Sequence, residues 1–445
     1  MCNTNINIIR QIQEELVKAK RSKAYFEKKT NFTRDRDLPF EAVFYMILDL
    51  PRRSIGIEIE DVLETMNDID GGIRSATPSA FSQARGKIKE ALFEQLNDRL
   101  IKSYYAQEGK QELKKWKGFI LQAVDGSLAD MINTKEIIEE FGTHSNQHKV
   151  LIPQARVMCL YDVLNGITRK NHIGNLSEAE GTVAKRWVSE LGEQTLTLYD
   201  RLYPSKVLLY LHHYHKKGYV MRCKRAFNNK VKAFTASRKK EKVEKWELSK
   251  SDVKKLKEYG VDAEVGTCFG VRLIRVKLKT GEDEILLTSL IDRKQYGHKL
   301  FKKLYAMRWG VETNYSFLKN TLQIEINSGR SVRSVYQDFY ATILRANIQS
   351  LIQMDCEEQV KKKTKGRKWK YRINKNIAAG VMKRRIIKIL FSTSEATFEK
   401  YYEHLKKLMV KHLCPIKPDR SSPRKKRSQK VNGKYRTMKN YKRAA

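Results

Sequence analysis

The segment from Tyr305 to Lys319, Y-A-M-R-W-G-V-E-T-N-Y-S-F-L-K, constrains this chain more tightly than any other stretch of it. Its spacing predicts a helix, on which each residue advances by about 100°. With Tyr305 as origin, Arg308 falls at roughly 300°, Glu312 at roughly 340° and Lys319 at roughly 320°, one arc of about 60°. Leu304, Val311, Tyr315, Leu318 and Leu322 fill a neighbouring arc of roughly 220–280° and can pack on a core. The stripe beside them holds a carboxylate between two cations and a phenol. That grouping suits metal-assisted phosphoryl transfer. It equally describes an amphipathic surface helix with i,i+4 and i,i+7 charges, so other parts of the chain must decide.

Charge points to the partner. Lys and Arg number 89 against 50 Asp and Glu, a formal net charge of +39 with a pI near 9.9. So basic a chain repels itself unless a polyanion neutralises it, and nucleic acid is the default polyanion because each phosphate contact releases counterions. A membrane surface is the weaker reading, since no basic amphipathic anchor stands beside a lipid signal. No apolar run reaches the about 18 residues of a membrane span. The N-terminus lacks a basic segment followed by a long apolar one, so a soluble, intracellular protein is expected. Six cysteines (Cys2, Cys159, Cys223, Cys268, Cys356 and Cys414) stand far apart without a C-x-x-C pair, which indicates neither a disulfide framework nor a zinc knuckle. His212, His213, His215 and Cys223 make a poor zinc set, because adjacent histidines diverge in helix or strand.

Length and pattern divide the 445 residues into several regions. Up to about Leu100 the apolar spacing is helical. One helix begins near Asn5, a second at Leu38-Pro39 with Phe40, Val43, Phe44 and Ile47, and a third at Pro78 with Phe81, Ala84, Ile88, Ala91 and Leu92. Basic loops such as Arg52-Arg53 suit DNA. Near Gly118 the period changes: Phe119 to Val124 reads as a buried strand stopped by a turn at Asp125-Gly126. Gln154 to Tyr161 reads as a strand leading to an Asn165-Gly166 hairpin turn. Ser177 and Glu180 form a capping box for a helix to Leu191, and Thr195–Tyr199 is a further strand ended by Asp200. Three strands, a helix and a fourth strand, with acids on the first and at the end of the fourth, is a ribonuclease H-like order. From about Ser205 to Leu290 strand signals dominate and include a Thr280-Gly281 turn; Trp246 there either packs or stacks on a flipped base. Beyond Asp355 come a basic stretch from Lys361, a helical segment from Asn376 to His412, and a basic, proline-containing tail expected to be disordered when free.

The acids share a logic. Asp125 on a buried strand, Asp200 at a strand end and Glu312 on a helix cannot remain ionised near a core without cations. Two divalent ions would balance them, and hard oxygen donors favour Mg²⁺, with Mn²⁺ as a substitute. Each acid also has an ordinary role open to it: a turn former, a helix cap and a salt-bridged surface residue, respectively.

In this order the residues resemble the DDE transposases of bacterial insertion sequences, in the group marked by a Y-R-E-K signature (the insertion-sequence-four family). The match lies in Ala123-Val-Asp-Gly-Ser127, Leu198-Tyr-Asp-Arg201, Leu286-Leu-Thr-Ser-Leu290 and the set Tyr305, Arg308, Glu312 and Lys319. Order and spacing agree from roughly Leu38 to Leu351. One departure is Asp200-Arg-Leu-Tyr203, where the family commonly has D-R-G-[YF].

The resemblance implies an α/β fold: a ribonuclease H-like catalytic core interrupted by a β-rich insertion, with a helical N-terminal domain before it and a basic helical C-terminal region after it. The expected divisions are 1–110 (DNA-binding), 111–204 (core, first part), 205–292 (insertion), 293–355 (core, second part) and 356–445. Asp125, Asp200 and Glu312 would be the catalytic, metal-holding acids, and Arg201, Tyr305, Arg308 and Lys319 would be DNA contacts. Water would attack the phosphodiester at the element's end, and the freed 3′-hydroxyl would attack target DNA. The implied partners are double-stranded terminal inverted repeats and target DNA, bound by a homodimer in the nucleoid of a bacterial cytoplasm. The competing expectation is a catalytically inactive, sequence-specific DNA-binding descendant of such an enzyme.

Overall fold

Short apolar strands separated by turn residues build the part of the chain that carries the three acids. The computed structural model describes residues 4–417, apart from 35, 52, 107–112, 146–150 and 279–280. It falls into two compact units. In chain order the described strands are β1 (Ile120–Asp130), β2 (Thr143–Ser145), β3 (Leu151–Asp162), β4 (Ile167–Asn175), β5 (Thr195–Tyr199), β6 (Gly218–Cys223), β7 (Glu241–Glu247), β8 (Cys268–Lys277), β9 (Asp283–Thr288), β10 (Lys370–Ile373) and β11 (Leu413–Ile416).

One unit takes Leu113–Leu128 and Arg156–Tyr315. Its sheet runs β4-β3-β1-β5-β6-β9-β8-β7. β1, β5 and β6 are parallel neighbours, whereas β6, β9, β8 and β7 pair antiparallel in turn. A central parallel strand is covered on both faces, and all five residues of β5 are buried accordingly. The β3–β4 turn uses Gly166 at φ 74°, a left-handed conformation that glycine takes without a Cβ clash. Asp162 braces that turn by accepting from the Leu164 and Asn165 amides at 3.1 and 3.0 Å. Val124, Leu160, Tyr199, Leu208, Tyr219, Val271 and Leu287 belong to one buried cluster in this unit.

Three local expectations change here. β1 does not turn at Asp125-Gly126 but continues to Asp130. Helix Glu180–Val188 opens three residues after Ser177 with no side-chain cap, because the Ser177 amide and hydroxyl both bond to Asn175. The stretch after Asp200 carries helices Lys206–Tyr214, Asn229–Ala236 and Lys250–Lys257 as well as strands, and its β6 joins the main sheet. Trp246 is 2% exposed and stacks on Phe227, so it is a core residue. His212 is fully buried; its Nε2 meets the Tyr199 hydroxyl at 2.9 Å and its Nδ1 meets the Lys217 carbonyl at 3.3 Å, which occupies both zinc-binding atoms.

The other unit takes the described residues of Met1–Glu112, Ala129–Ala155 and Ser316–Ala445. Helix Thr4–Ser22 has the expected amphipathic spacing, and Pro39 precedes helix Phe40–Leu48. The helix begun at Pro78 stops at Arg85, before Gly86, and a new one spans Ala91–Tyr105. The 24-residue helix Val332–Asp355 packs on Thr4–Ser22, Phe40–Leu48, Ala91–Tyr105 and Glu395–Lys411. Arg345–Asp49 at 2.7 Å and Arg85–Asp338 at 3.1 Å are buried ion pairs of this unit. The expected helical segment Asn376–His412 is made of three helices: Lys375–Met382, Arg385–Leu390 and Glu395–Lys411. The tail 418–445, Arg52 and Thr280 lie outside the described residues. Among the described residues no helix is long and apolar enough to cross a membrane.

Candidate active site

Strand register brings the two aspartates to one level. Ala123 on β1 is paired with Leu198 on the parallel β5. Asp125 and Asp200 each follow by two residues, so they share a sheet face, Asp125 midway along β1 and Asp200 just past the end of β5. Glu312 comes from helix Trp309–Ser316 of the same unit. The three carboxyl groups are partly buried. Asp125 feels the charge of the other two. Burial first, and then the Glu312 and Asp200 anions, push the Asp125 carboxyl up to about 6, against the opposing pull of the Arg308 guanidinium and the Gly126 amide.

Arg308 is the cation at the centre of this field. It is 8% exposed, and its Nη2 donates to Glu312 Oε1 at 2.6 Å, the i,i+4 pair that the spacing predicts. Its guanidinium also lies over the Tyr305 and Trp309 rings. Burial opposes its charge, but the Glu312 hydrogen bond and the nearby acids outweigh that and hold it protonated.

Two tyrosines fix the backbone that carries the aspartates. The Tyr305 hydroxyl donates to the Tyr199 carbonyl at 3.2 Å, next to Asp200. The Tyr315 hydroxyl donates to the Asp125 carbonyl at 2.9 Å and lies 3.3 Å from the Val157 carbonyl. Sequence spacing placed Tyr315 among core residues and gave no sign of this polar contact. Arg201 is exposed in the turn after Asp200. Leu202, where the resembling family commonly has glycine, adopts a negative φ, and its amide donates to Asp200 Oδ1 at 2.7 Å. The loop therefore closes without glycine. Lys319 belongs to the other unit, where it meets Glu325 at 2.9 Å. It lies on a π-helical turn, Phe317–Thr321, so the uniform projection of about 100° per residue does not extend to it.

The donor set fits a hard divalent cation: three carboxylates, with neither thiolate nor imidazole among them. Burial, ahead of the neighbouring anions, raises the Asp125 carboxyl, and a bound cation would favour its charged form. Among the described residues, however, no three His, Cys, Asp or Glu side chains already stand together as a ready-made metal cage. Arg308 supplies the positive charge next to Glu312.

A family profile described as Transposase DDE domain matches residues 116–348, just over half of the chain. This protein therefore belongs to the DDE transposase family. It is 25% identical over 336 residues to the transposase InsG for insertion sequence element IS4 of Escherichia coli (strain K12), covering 74% of this chain and 72% of that protein. Among solved structures, it is similar to piggyBac transposase in a synaptic complex with hairpin DNA, at 12% identity and a TM-score of 0.44, over 94% of this chain and 84% of that one.

Proposed function

We propose that this protein carries out cut-and-paste transposition of an insertion sequence, with Asp125, Asp200 and Glu312 holding two Mg²⁺ ions (or Mn²⁺) in a ribonuclease H-like core. The observation that supports this reading is that β1–β5 register brings Asp125 and Asp200 to one level, with Asp125 in the field of Glu312 and of the buried Arg308 that pairs with it. Bound by these carboxylates, divalent ions would activate the attacking oxygen and stabilise the leaving one. The protein's own groups do the rest. Tyr305 and Tyr315 hold the backbone that presents the aspartates. Arg308 and Arg201 would bind DNA phosphates and offset charge as the phosphoryl group transfers, and Lys319 would be a further DNA contact. Water attacks the phosphodiester at the element's end and releases a 3′-hydroxyl, which then attacks a phosphodiester of target DNA. Bringing two ends together calls for a homodimer on DNA, with helices of residues 1–110 contributing to end recognition and 111–204 and 293–355 forming the core around the insertion 205–292.

A second reading, an inactive DNA-binding descendant, draws on one observation: Glu312 is engaged by Arg308. Incubating the full-length protein with a terminal-repeat duplex and Mg²⁺ separates the two. Cleavage at the element's end supports the transposase. End binding without cleavage, in Mg²⁺ and in Mn²⁺, supports the binding protein.

A further inference from the structure

A fourth carboxylate is built into the same unit, and no motif discussed above accounts for it. Glu180, the first residue of its helix, accepts from Arg156 Nη1 at 2.7 Å through Oε1 and from the Tyr203 hydroxyl at 2.9 Å through Oε2. Its carboxylate rests against Gly126: a Cβ added there would lie within 2.5 Å of both Glu180 oxygens. These contacts reach three different segments. Gly126 adjoins Asp125 on β1, Arg156 lies on β3, and Tyr203 closes the turn that begins at Asp200. The Tyr203 hydroxyl is pushed up by burial, then by Glu180, and further by Asp125 and Asp200, so it stands in the field of Glu180 and of both aspartates.

The usual role for such an acid is local. A glutamate in the first turn of a helix complements the helix dipole, and a partly exposed ion pair adds modest stability. Neither role requires a glycine on β1 or a buried tyrosine after β5. We propose that Glu180 is a positioning residue for transposition: clasped by Arg156 and Tyr203 and seated on Gly126, it locks together the two backbone segments that present Asp125 and Asp200. This rests on the metal-dependent reading of the site. It also explains why Asp125 is followed by glycine in a strand that does not turn there.

The test compares Glu180→Gln, Tyr203→Phe and Gly126→Ala with wild type and Asp125→Asn, all as full-length protein on a terminal-repeat duplex. Mn²⁺ affinity is read by electron paramagnetic resonance, end cleavage by kcat and KM, and folding by thermal melting. Partners behind metal ligands typically matter by about 10–100-fold in metal affinity or activity. The expected result is a loss of that size in Mn²⁺ affinity and kcat for Glu180→Gln and Gly126→Ala, and a smaller loss for Tyr203→Phe. KM for DNA and the melting temperature of Tyr203→Phe should stay at the wild-type values. The proposal is overturned if the variants bind Mn²⁺ as wild type does while Asp125→Asn does not. It is equally overturned if every loss in kcat is matched by lost DNA binding and melting temperature, which would make the clasp merely structural. If wild type and Asp125→Asn are alike in Mn²⁺ binding, the metal-dependent reading fails and takes this proposal with it.

Discussion

Replacing Asp125 by asparagine should stabilise the protein while removing its activity. Burial and the neighbouring acids raise this carboxyl from 3.8 to about 6, so ionising it in the folded state carries a penalty. At about 1.4 kcal/mol per pH unit the penalty is ~3 kcal/mol. Partial exposure to solvent reduces it to ~1.5 kcal/mol. For a unit of this size that corresponds to a gain of roughly 3–6 °C in melting temperature. The sign follows from linkage. The folded state binds the proton more tightly than the unfolded one, so wild-type stability falls as pH rises from 3.8 to about 6 and levels off above it. The asparagine variant escapes this loss. Its advantage should be full at pH 8, shrink below about pH 6 and vanish near pH 4. Thermal melting in chelator at several pH values measures it. Adding Mn²⁺ should then raise the wild type and leave the variant unmoved, because a ligand stabilises only the form that binds it. An advantage that is absent at pH 8, or constant from pH 4 to 8, would refute the reasoning.

Glu312→Gln should abolish end cleavage and leave end binding intact, which a gel-shift assay paired with a cleavage assay would show; equal loss of both would contradict a catalytic role. Arg308→Ala removes the 2.6 Å partner of Glu312 and should cost ~1–3 kcal/mol in urea unfolding, as charged hydrogen bonds do. The same variant should lower the salt dependence of DNA binding by about one phosphate contact, seen as a shallower plot of log K against log salt. Arg345→Ala strands the buried Asp49 carboxylate and should destabilise by ~3–5 kcal/mol in denaturant melts, with no bearing on cleavage chemistry beyond the folded fraction.

What could be read from the sequence was local. Thr195–Tyr199, the Asn165-Gly166 turn and the Arg308–Glu312 pair follow from spacing alone, because period and turn chemistry act between near neighbours. The misreadings have long-range causes. Asp-Gly usually turns a chain, but here the pairing of β1 and the hold of Tyr315, 190 residues away, keep it extended. Ser177 and Glu180 have capping-box spacing, yet Glu180 is drawn to Arg156 and Tyr203. A π-helical turn after Ser316 interrupts a projection that assumed one uniform helix. The packing of Val332–Asp355 against helices near the N-terminus joins segments about 300 residues apart, which no window of sequence reports.

The most direct test of the central claim is an anomalous-scattering map from crystals of the protein with terminal-repeat DNA and Mn²⁺. The account predicts one or two manganese peaks bound by carboxylate oxygens of Asp125, Asp200 and Glu312, with Arg308 turned from Glu312 to a DNA phosphate. No manganese at these acids, with Glu312 still held by Arg308 beside bound DNA, would contradict it.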